Sequence, residues 1–174
     1  MRRATVLKRL GFLVFATACF PVSVTPANLV PIRPTEVALS VSKDAAFERS
    51  MAAFLSSGLR VDQANKEAGI IKSAGMMGDI VTVGGLFPVV SQSEYFFRVN
   101  IVATDSGSKV YVSASGRAHT TSSGKSETTP ESEMYECQKY NVPGAGSAYE
   151  KCQESMTKFR AKVDSLAMRI KSGS

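Results

Sequence analysis

Apolar residues alternate with polar ones in some segments of the chain and recur every three or four positions in others. Residues 37–41 alternate, which is typical of a half-buried strand. Ser42 can then cap a helix with Asp44 in its first turn, and Gly58 is placed to end it. The apolar residues at helical spacing between them are Phe47, Met51, Phe54 and Leu55.

Further strands are predicted in the middle of the chain. Residues 59–62 and 70–73 form the pattern of a hairpin, and residues 80–83 form a short strand between glycine-rich, partly apolar loops. The two strongest strands are 94–104 and 109–118, each with one apolar face. A strong turn signal, Asp-Ser-Gly-Ser, separates them, so we expect an antiparallel hairpin.

The last third of the chain contains a polar segment followed by an amphipathic one. Residues 119–132 are dominated by Ser, Thr and charge, and we expect a mobile loop there. A long helix is predicted over 147–171. Its apolar stripe consists of Cys152, Met156, Phe159, Val163, Leu166 and Ile170. On this spacing Cys152 is expected to face inward.

The order strand, helix, several strands, long helix predicts an α+β fold. We expect two layers, with an antiparallel sheet and two amphipathic helices packed on one face. The chain has 174 residues, and residues 35–171 are sufficient for a single domain with its own core.

The N-terminal segment has the pattern of an export signal. Basic residues crowd positions 2–9, and residues 10–20 are apolar. This run is too short to span a bilayer, which needs about 20 apolar residues. Residues 19–34 are rich in proline, which excludes regular helix or sheet and predicts an extended tether or an arm lying over the domain.

Residues 16–19, Ala-Thr-Ala-Cys, resemble the lipobox of bacterial lipoproteins, although the family usually has leucine where this chain has Ala16. The resemblance implies a signal peptide over 1–18 and acylation of Cys19. Phe20 is not the aspartate that commonly signals inner-membrane retention in these lipoproteins, so the outer membrane, facing the periplasm, is implied. The alternatives are ordinary cleavage after Ala27, giving a soluble periplasmic or secreted protein, and an uncleaved anchor.

Without the N-terminal signal and Cys19, both the net charge and the number of cysteines are lower. The net charge is +6, but four of the 21 basic residues lie within positions 2–9, which leaves 17 against 15 acidic ones. This balance gives no electrostatic case for nucleic acid. Cys137 and Cys152 remain as a pair, and an oxidising compartment favours a disulfide over two independent buried thiols.

Candidate chemistry is sparse, and we predict no catalytic residue, metal site or cofactor. His119, the single histidine, is interpreted as an exposed loop residue, and the glutamates around 127–136 as a solvated charge run. A partner surface is possible at the side chains of Tyr135, Tyr140, Tyr149, Leu86 and Phe87. Alternatively, these residues pack the cysteine loop and cover the end of the core.

Residues 44–73 combine an apolar helix, a glycine and two short strands. The segment resembles the small helix-grip modules of some bacterial envelope lipoproteins, including those of the outer-membrane-protein assembly machinery. This resemblance implies a docking or scaffolding role without catalysis, with a membrane contact through the lipid and an unidentified envelope protein as partner. The alternatives are a carrier of a small apolar ligand, with its cavity between the sheet and the last helix, and an enzyme of unrecognised type.

Overall fold

The structure is a computed structural model that describes residues 31–83, 89–137 and 146–173. The elements in chain order are β1 (Thr35–Leu39), α1 (Lys43–Ser56), β2 (Val61–Asn65), β3 (Ile70–Ser73), β4 (Met76–Val83), β5 (Val89–Thr104), β6 (Gly107–Ser122), β7 (Lys125–Thr128), β8 (Ser132–Glu133) and α2 (Gly146–Ser172).

The hairpin of β5 and β6 runs through the whole sheet. Its two strands of 16 residues pair antiparallel from Val89↔Ser122 to Thr104↔Gly107. Strands β1, β7 and β8 pair with the other edge of β6, while β3 and β4 pair with the other edge of β5, and β2 adds to β3. The predicted α+β class with an antiparallel sheet is therefore confirmed, with eight strands and two helices in the described residues.

The core lies on the face that alternate residues of the hairpin present. Phe97, Val99 and Ile101 of β5 and Val110 and Val112 of β6 are buried. They cluster with apolar side chains of both helices. Those from the helices are Ala46, Phe47, Ala53 and Phe54 of α1 and Met156, Phe159, Val163, Leu166, Ala167 and Ile170 of α2. Most residues of the two predicted apolar stripes thus supply the core, but Leu55 of the α1 stripe is 63% exposed and does not.

Helix α1 begins as the sequence predicts. Ser42 is its N-cap, and its hydroxyl accepts a hydrogen bond from the Ala45 N–H at 3.3 Å. Asp44 lies in the first turn, where the helix dipole favours an acid. The helix ends at Ser56, and Gly58 follows with φ +72°, a conformation that glycine adopts without a steric penalty.

The prediction of a loop over 119–132 is wrong. Residues up to Ser122 continue β6, and β7 returns along it in register His119↔Thr128 to Ser122↔Lys125. The turn is Ser123-Gly124, with φ +50° and +78°, the positive pair that a tight hairpin turn requires. Cross-strand hydrogen bonds between polar side chains take the place of apolar burial, which is why composition alone suggested disorder.

The start of β4 also differs from expectation, whereas the end of the proline-rich segment agrees with the expected arm. Strand β4 starts at Met76, ahead of the predicted 80–83 strand, because the segment pairs with β5 across a bulge between Met77 and Ile80. The end of the proline-rich segment lies along the domain, where the Ile32 N–H donates to the Met134 carbonyl at 2.9 Å. Residues 1–30, including Cys19, and residues 84–88 lie outside the described residues.

Cys137 and Cys152 form the predicted disulfide, which joins the segment after β8 to α2. Cys137 packs against the core, but Cys152 is exposed, so the expectation that Cys152 faces inward is wrong. The buried side of α2 begins at Met156, one turn after Cys152. At Cys152 the helix is therefore held to the rest of the domain by the disulfide and not by core packing.

Replacing either cysteine with serine should remove the same bond. Cys137→Ser and Cys152→Ser are each expected to lower the free energy of unfolding by about 3 kcal/mol, since the bond closes a loop of 15 residues. The double variant should lose no more than either single variant, in urea unfolding without reductant. Additive losses would contradict a shared bond.

Candidate binding groove

Phe159, at the middle of α2, packs against two aromatic rings of β5. The Phe159 ring centroid is 5.5 Å from that of Tyr95 and 5.8 Å from that of Phe97. Phe97 is anchored further by its backbone N–H, which donates to the buried Ser73 hydroxyl at 2.8 Å. The aromatic pairs fix the spacing between α2 and β5.

Glycines on the two strands that flank Tyr95, Gly78 of β4 and Gly116 of β6, leave space for its ring. A Cβ on Gly78 of β4 would lie 2.4 Å from Tyr95 Cε2, closer than a real Cβ can approach. On β6, a Cβ on Gly116 would lie 3.7 Å from Tyr95 Cδ1, an ordinary contact. The ring therefore depends on the absence of a side chain at Gly78.

A groove of about 440 Å³ opens beside these rings, between α2 and β4. Its lining residues are Met76, Met77, Gly78, Tyr95, Phe97, Ser155, Lys158, Phe159, Ala161 and Lys162. A second cavity of about 170 Å³ continues it along α2 and shares Met76, Phe97 and Lys162 with it. We call the two together the α2–β4 groove. The larger volume falls within the range of ligand-binding pockets.

The α2 side of this groove is basic. Lys158 and Lys162 line the first cavity and Arg169 the second, and none of the described residues that line the two cavities carries a carboxylate. Lys158 Nζ lies 2.9 Å from Glu154 Oε1, in an ion pair whose side chains are both exposed. The groove thus combines an apolar floor with a cationic rim.

The opposite face of the sheet, which we call the outer face, carries a polar network. Glu94 accepts from Arg117 Nε at 2.6 Å and lies 2.9 Å from His119 Nε2. The hydrogen bond from Arg117, with that from His119, holds the pKa of Glu94 below its usual range. His119 Nδ1 is 3.0 Å from the Thr128 hydroxyl. The interpretation of His119 as a loop residue is wrong, since it lies within β6.

A second set of charges lies beside the first. Lys72 Nζ is 2.7 Å from Glu131 Oε2, and the Ser115 hydroxyl donates to the same carboxylate. Burial raises the pKa of Glu131, but these hydrogen bonds outweigh it, so the pKa is lowered. Lys72 and Arg117 both lie over the Phe96 ring, at 4.9 and 5.1 Å from its centroid. Glu131 therefore belongs to a folded network, contrary to the expected solvated charge run.

Thr128, His119 and Glu94 are connected in the order of a hydrolytic triad, with a hydroxyl and a carboxylate on opposite nitrogens of one imidazole. Here Arg117 Nε also donates to the Glu94 oxygen that contacts His119, so the carboxylate is shared between the two side chains. Among the residues that the structure describes, no three His, Cys, Asp or Glu side chains converge on a common metal position. The network ties β5, β6 and β7 together.

Of the five residues of the predicted partner surface, the structure describes Tyr135 and Tyr149. Tyr135 is 37% exposed and pairs with Pro31 in an isolated bridge, while the half-buried Tyr149 hydroxyl accepts from Gln153 Nε2 at 3.2 Å. Tyr140, Leu86 and Phe87 lie outside the described residues. The groove residues Lys158 and Lys162 were missed, although their i, i+4 spacing around Phe159 is visible in the sequence.

Comparisons with known proteins add little to this geometry. No family model and no curated protein matches the chain. Among solved structures it is similar to a DUF4468 family protein from Bacteroides ovatus ATCC 8483, at 11% identity over 80% of this chain and 83% of the other, with a TM-score of 0.43. In the described part of the chain, neither helix is long and apolar enough to cross a bilayer.

The Glu94 network should make stability depend on pH. Because the folded pKa of Glu94 is lowered below the ordinary 4.5, its contribution is present above that pH and is lost as the pH falls through the folded value. The stability difference between wild type and Glu94→Gln should therefore shrink from about pH 7 to about pH 3, in urea unfolding. Glu127→Gln, on the exposed β7, controls for loss of a carboxylate elsewhere. A difference that stays constant with pH would contradict the prediction.

Adding a methyl group beside Tyr95 should disturb the groove. Gly78→Ala is expected to destabilise the protein by about 1–3 kcal/mol and to move the Tyr95 ring, since its Cβ would overlap Cε2. Gly116→Ala, on the other side of the ring, is the matched control and should cost much less. Urea unfolding measures the stability, and ring chemical shifts report the position of Tyr95. Equal costs at both glycines would contradict this account.

Proposed function

We propose that the chain is a non-catalytic bacterial envelope lipoprotein whose domain binds a protein partner through the α2–β4 groove. The observation that carries the proposal is the groove itself, about 440 Å³ in volume, with an aromatic floor and the exposed residues Ala161 and Lys162 along its edge. Concave apolar surfaces bordered by polar groups are characteristic of binding sites.

The anchor in this proposal is an acyl chain on Cys19, the first residue after a signal peptide of residues 1–18. Residues 20–30 then give the domain reach from the outer membrane into the periplasm, and residues 31–34 join it to the sheet. The Cys137–Cys152 disulfide fits an exported protein, since such bonds persist in oxidising compartments.

In the same proposal the domain has two layers, with both helices on one face of the sheet. The shared core supports this arrangement, because buried residues of α1 and α2 cluster with the same alternate residues of β5 and β6. The outer face then carries charge pairs in place of a covering layer.

A carrier of a small apolar ligand is the second candidate, favoured by the position of the groove between the sheet and the last helix. A carrier encloses most of its ligand, typically 70–90% of the ligand surface. The α2–β4 groove instead runs along exposed residues such as Lys158 and Ala161, and the residues below it pack closely in the core. A surface of this kind suits a protein segment better than an enclosed ligand.

The anchor is tested in cells that make the full chain. Metabolic labelling with a palmitate analogue should mark the wild type, and membrane fractionation should recover it with outer membranes. Cys19→Ala should abolish the label and release the chain. An unlabelled wild-type chain beginning near Asn28 would overturn the anchor.

The binding surface is tested in the same cells by photo-crosslinking. A photoreactive residue at Ala161, on the groove, should give a discrete protein adduct. The same residue at the exposed Asp105, in the β5–β6 turn, is the control and should give none. A small-molecule or lipid adduct at Ala161 would favour the carrier, and the same adducts from both positions, or none, would overturn the groove as the partner site.

A further inference from the structure

A cavity of about 490 Å³ opens on the outer face of the sheet. It shares no lining residue with the α2–β4 groove, and its volume falls within the range of ligand-binding pockets. Its walls are residues 31–34, which we call the arm, and residues 131–133. Its floor consists of side chains from β5 and β6. We call this space the outer cavity.

The floor is polar because alternate residues of the central hairpin point outward. Val99 is buried in the core, so Arg98 and Asn100 on either side of it lie on the outer face. Arg98 pairs with Ser113 of β6 in the register of the hairpin, which places their side chains next to each other. The floor thus offers a guanidinium, an amide and a hydroxyl within one small area.

The walls of the outer cavity are held by backbone contacts. The Ile32 N–H donates to the Met134 carbonyl at 2.9 Å, which fixes the arm beside the sheet. Ile32 packs against the core, and its neighbour Arg33 lines the cavity. On the other wall, Glu133 pairs with Ser115 in the register of β8 and β6. Both walls therefore belong to the folded domain.

Four polar side chains of the outer cavity retain their hydrogen-bonding groups for a ligand. In the part of the chain that the structure describes, Arg33, Arg98, Asn100 and Ser113 form no side-chain hydrogen bond or ion pair. The two guanidiniums are donors only, whereas the amide and the hydroxyl both donate and accept. A ligand can therefore pair an anionic group with the arginines and neutral polar groups with the floor.

The acidic residues of the wall limit the charge of that ligand. The carboxylate of Glu131 is compensated by Lys72, whose Nζ lies 2.7 Å from Glu131 Oε2. Glu133 is exposed, and no Lys or Arg of the described chain lies within ion-pair distance of it. Two guanidiniums thus line the cavity together with one uncompensated carboxylate. This balance favours a single negative charge over a phosphate dianion, and Glu133 provides an acceptor for an N–H or O–H donor.

We propose that the outer cavity binds a small carboxylate ligand that also carries N–H or O–H donors. The ligand's carboxylate lies at Arg98 and Arg33, its neutral polar groups at Asn100 and Ser113, and a donor at Glu133. Planar guanidinium groups suit this role because they bind carboxylates through paired hydrogen bonds. Short peptides with an unblocked C-terminus and acidic sugars share this chemistry. The site goes beyond the proposed function and does not depend on a partner at the α2–β4 groove.

Small-molecule titrations followed by NMR test the site on the full-length protein. The probes are trialanine and galacturonic acid, each compared with a counterpart that lacks the carboxylate, trialanine amide or galactose, and with inorganic phosphate. We expect a carboxylate probe to shift the amide signals of residues 98–100 and 113–115, and the one that binds more tightly identifies the source of the carboxylate. Its counterpart should bind at least about tenfold more weakly, because the charged hydrogen bonds are lost.

Variants of the floor test the residues in the same titrations. Arg98→Ala should weaken binding of the carboxylate probe about tenfold to a hundredfold, and Arg98→Lys should recover part of the loss. Asn100→Asp adds a carboxylate to the floor with little change in shape, and it should weaken binding at least about fivefold at low ionic strength. Arg60→Ala is the matched control, since Arg60 is exposed and does not line the cavity, and it should bind as the wild type does. Unchanged circular dichroism of each variant separates lost binding from lost fold.

Other results overturn the proposal. Equal affinity for each carboxylate probe and its counterpart would exclude recognition of the carboxylate, and tighter binding of phosphate would exclude a singly charged ligand. Binding that Arg98→Ala leaves unchanged, or no binding of any probe, would exclude the site. Failure here leaves the Ala161 photoadduct intact, whereas failure of the proposed function removes that adduct and leaves these titrations unchanged.

Discussion

Backbone pairing between β5 and β6 is the interaction on which the rest of the structure depends. The two strands pair over 16 positions, and every other strand except β2 pairs directly with one of them. Their alternate residues supply the sheet's part of the core on one face and the charge network on the other. The register of this one hairpin therefore decides which side chains meet the helices and which meet water.

The groove is a consequence of how α2 is held against this hairpin. Phe159 contacts Tyr95 and Phe97 at the floor, while the Cys137–Cys152 disulfide joins the earlier part of the helix to the segment after β8. On both sides of Phe159, from Ser155 to Arg169, the helix lines the groove that lies between it and β4. Because Gly78 has no side chain, the Tyr95 ring can lie against β4 without filling the groove.

Local sequence patterns predicted most helices and strands. The predictions failed where an element depends on pairing between distant segments. The cap at Ser42, the apolar stripe of α2 and the disulfide partners all depend on neighbours along the chain or on simple counting. The hairpin at 119–128 was missed because its stability comes from contacts such as His119 with Thr128, which apolar periodicity does not encode. A cavity between the sheet and the last helix was anticipated for the carrier alternative, but the part of β4 in its wall was not, because no spacing rule relates two such distant segments.

Phe96 shows how a sheet face that neither described helix covers can still shield an aromatic ring. It is only 7% exposed, yet the groups that lie over it are the Lys72 ammonium and the Arg117 guanidinium, each held by a carboxylate. Ordered charges thus shield Phe96 in place of a second apolar layer. The same charges oppose the packing of an apolar surface on this face. A flat sheet with a bare aromatic residue at its centre invites stacking by another sheet, whereas one covered by fixed ion pairs does not, because stacking would strip water from those charges. The solubility of this face is therefore a property of its salt bridges.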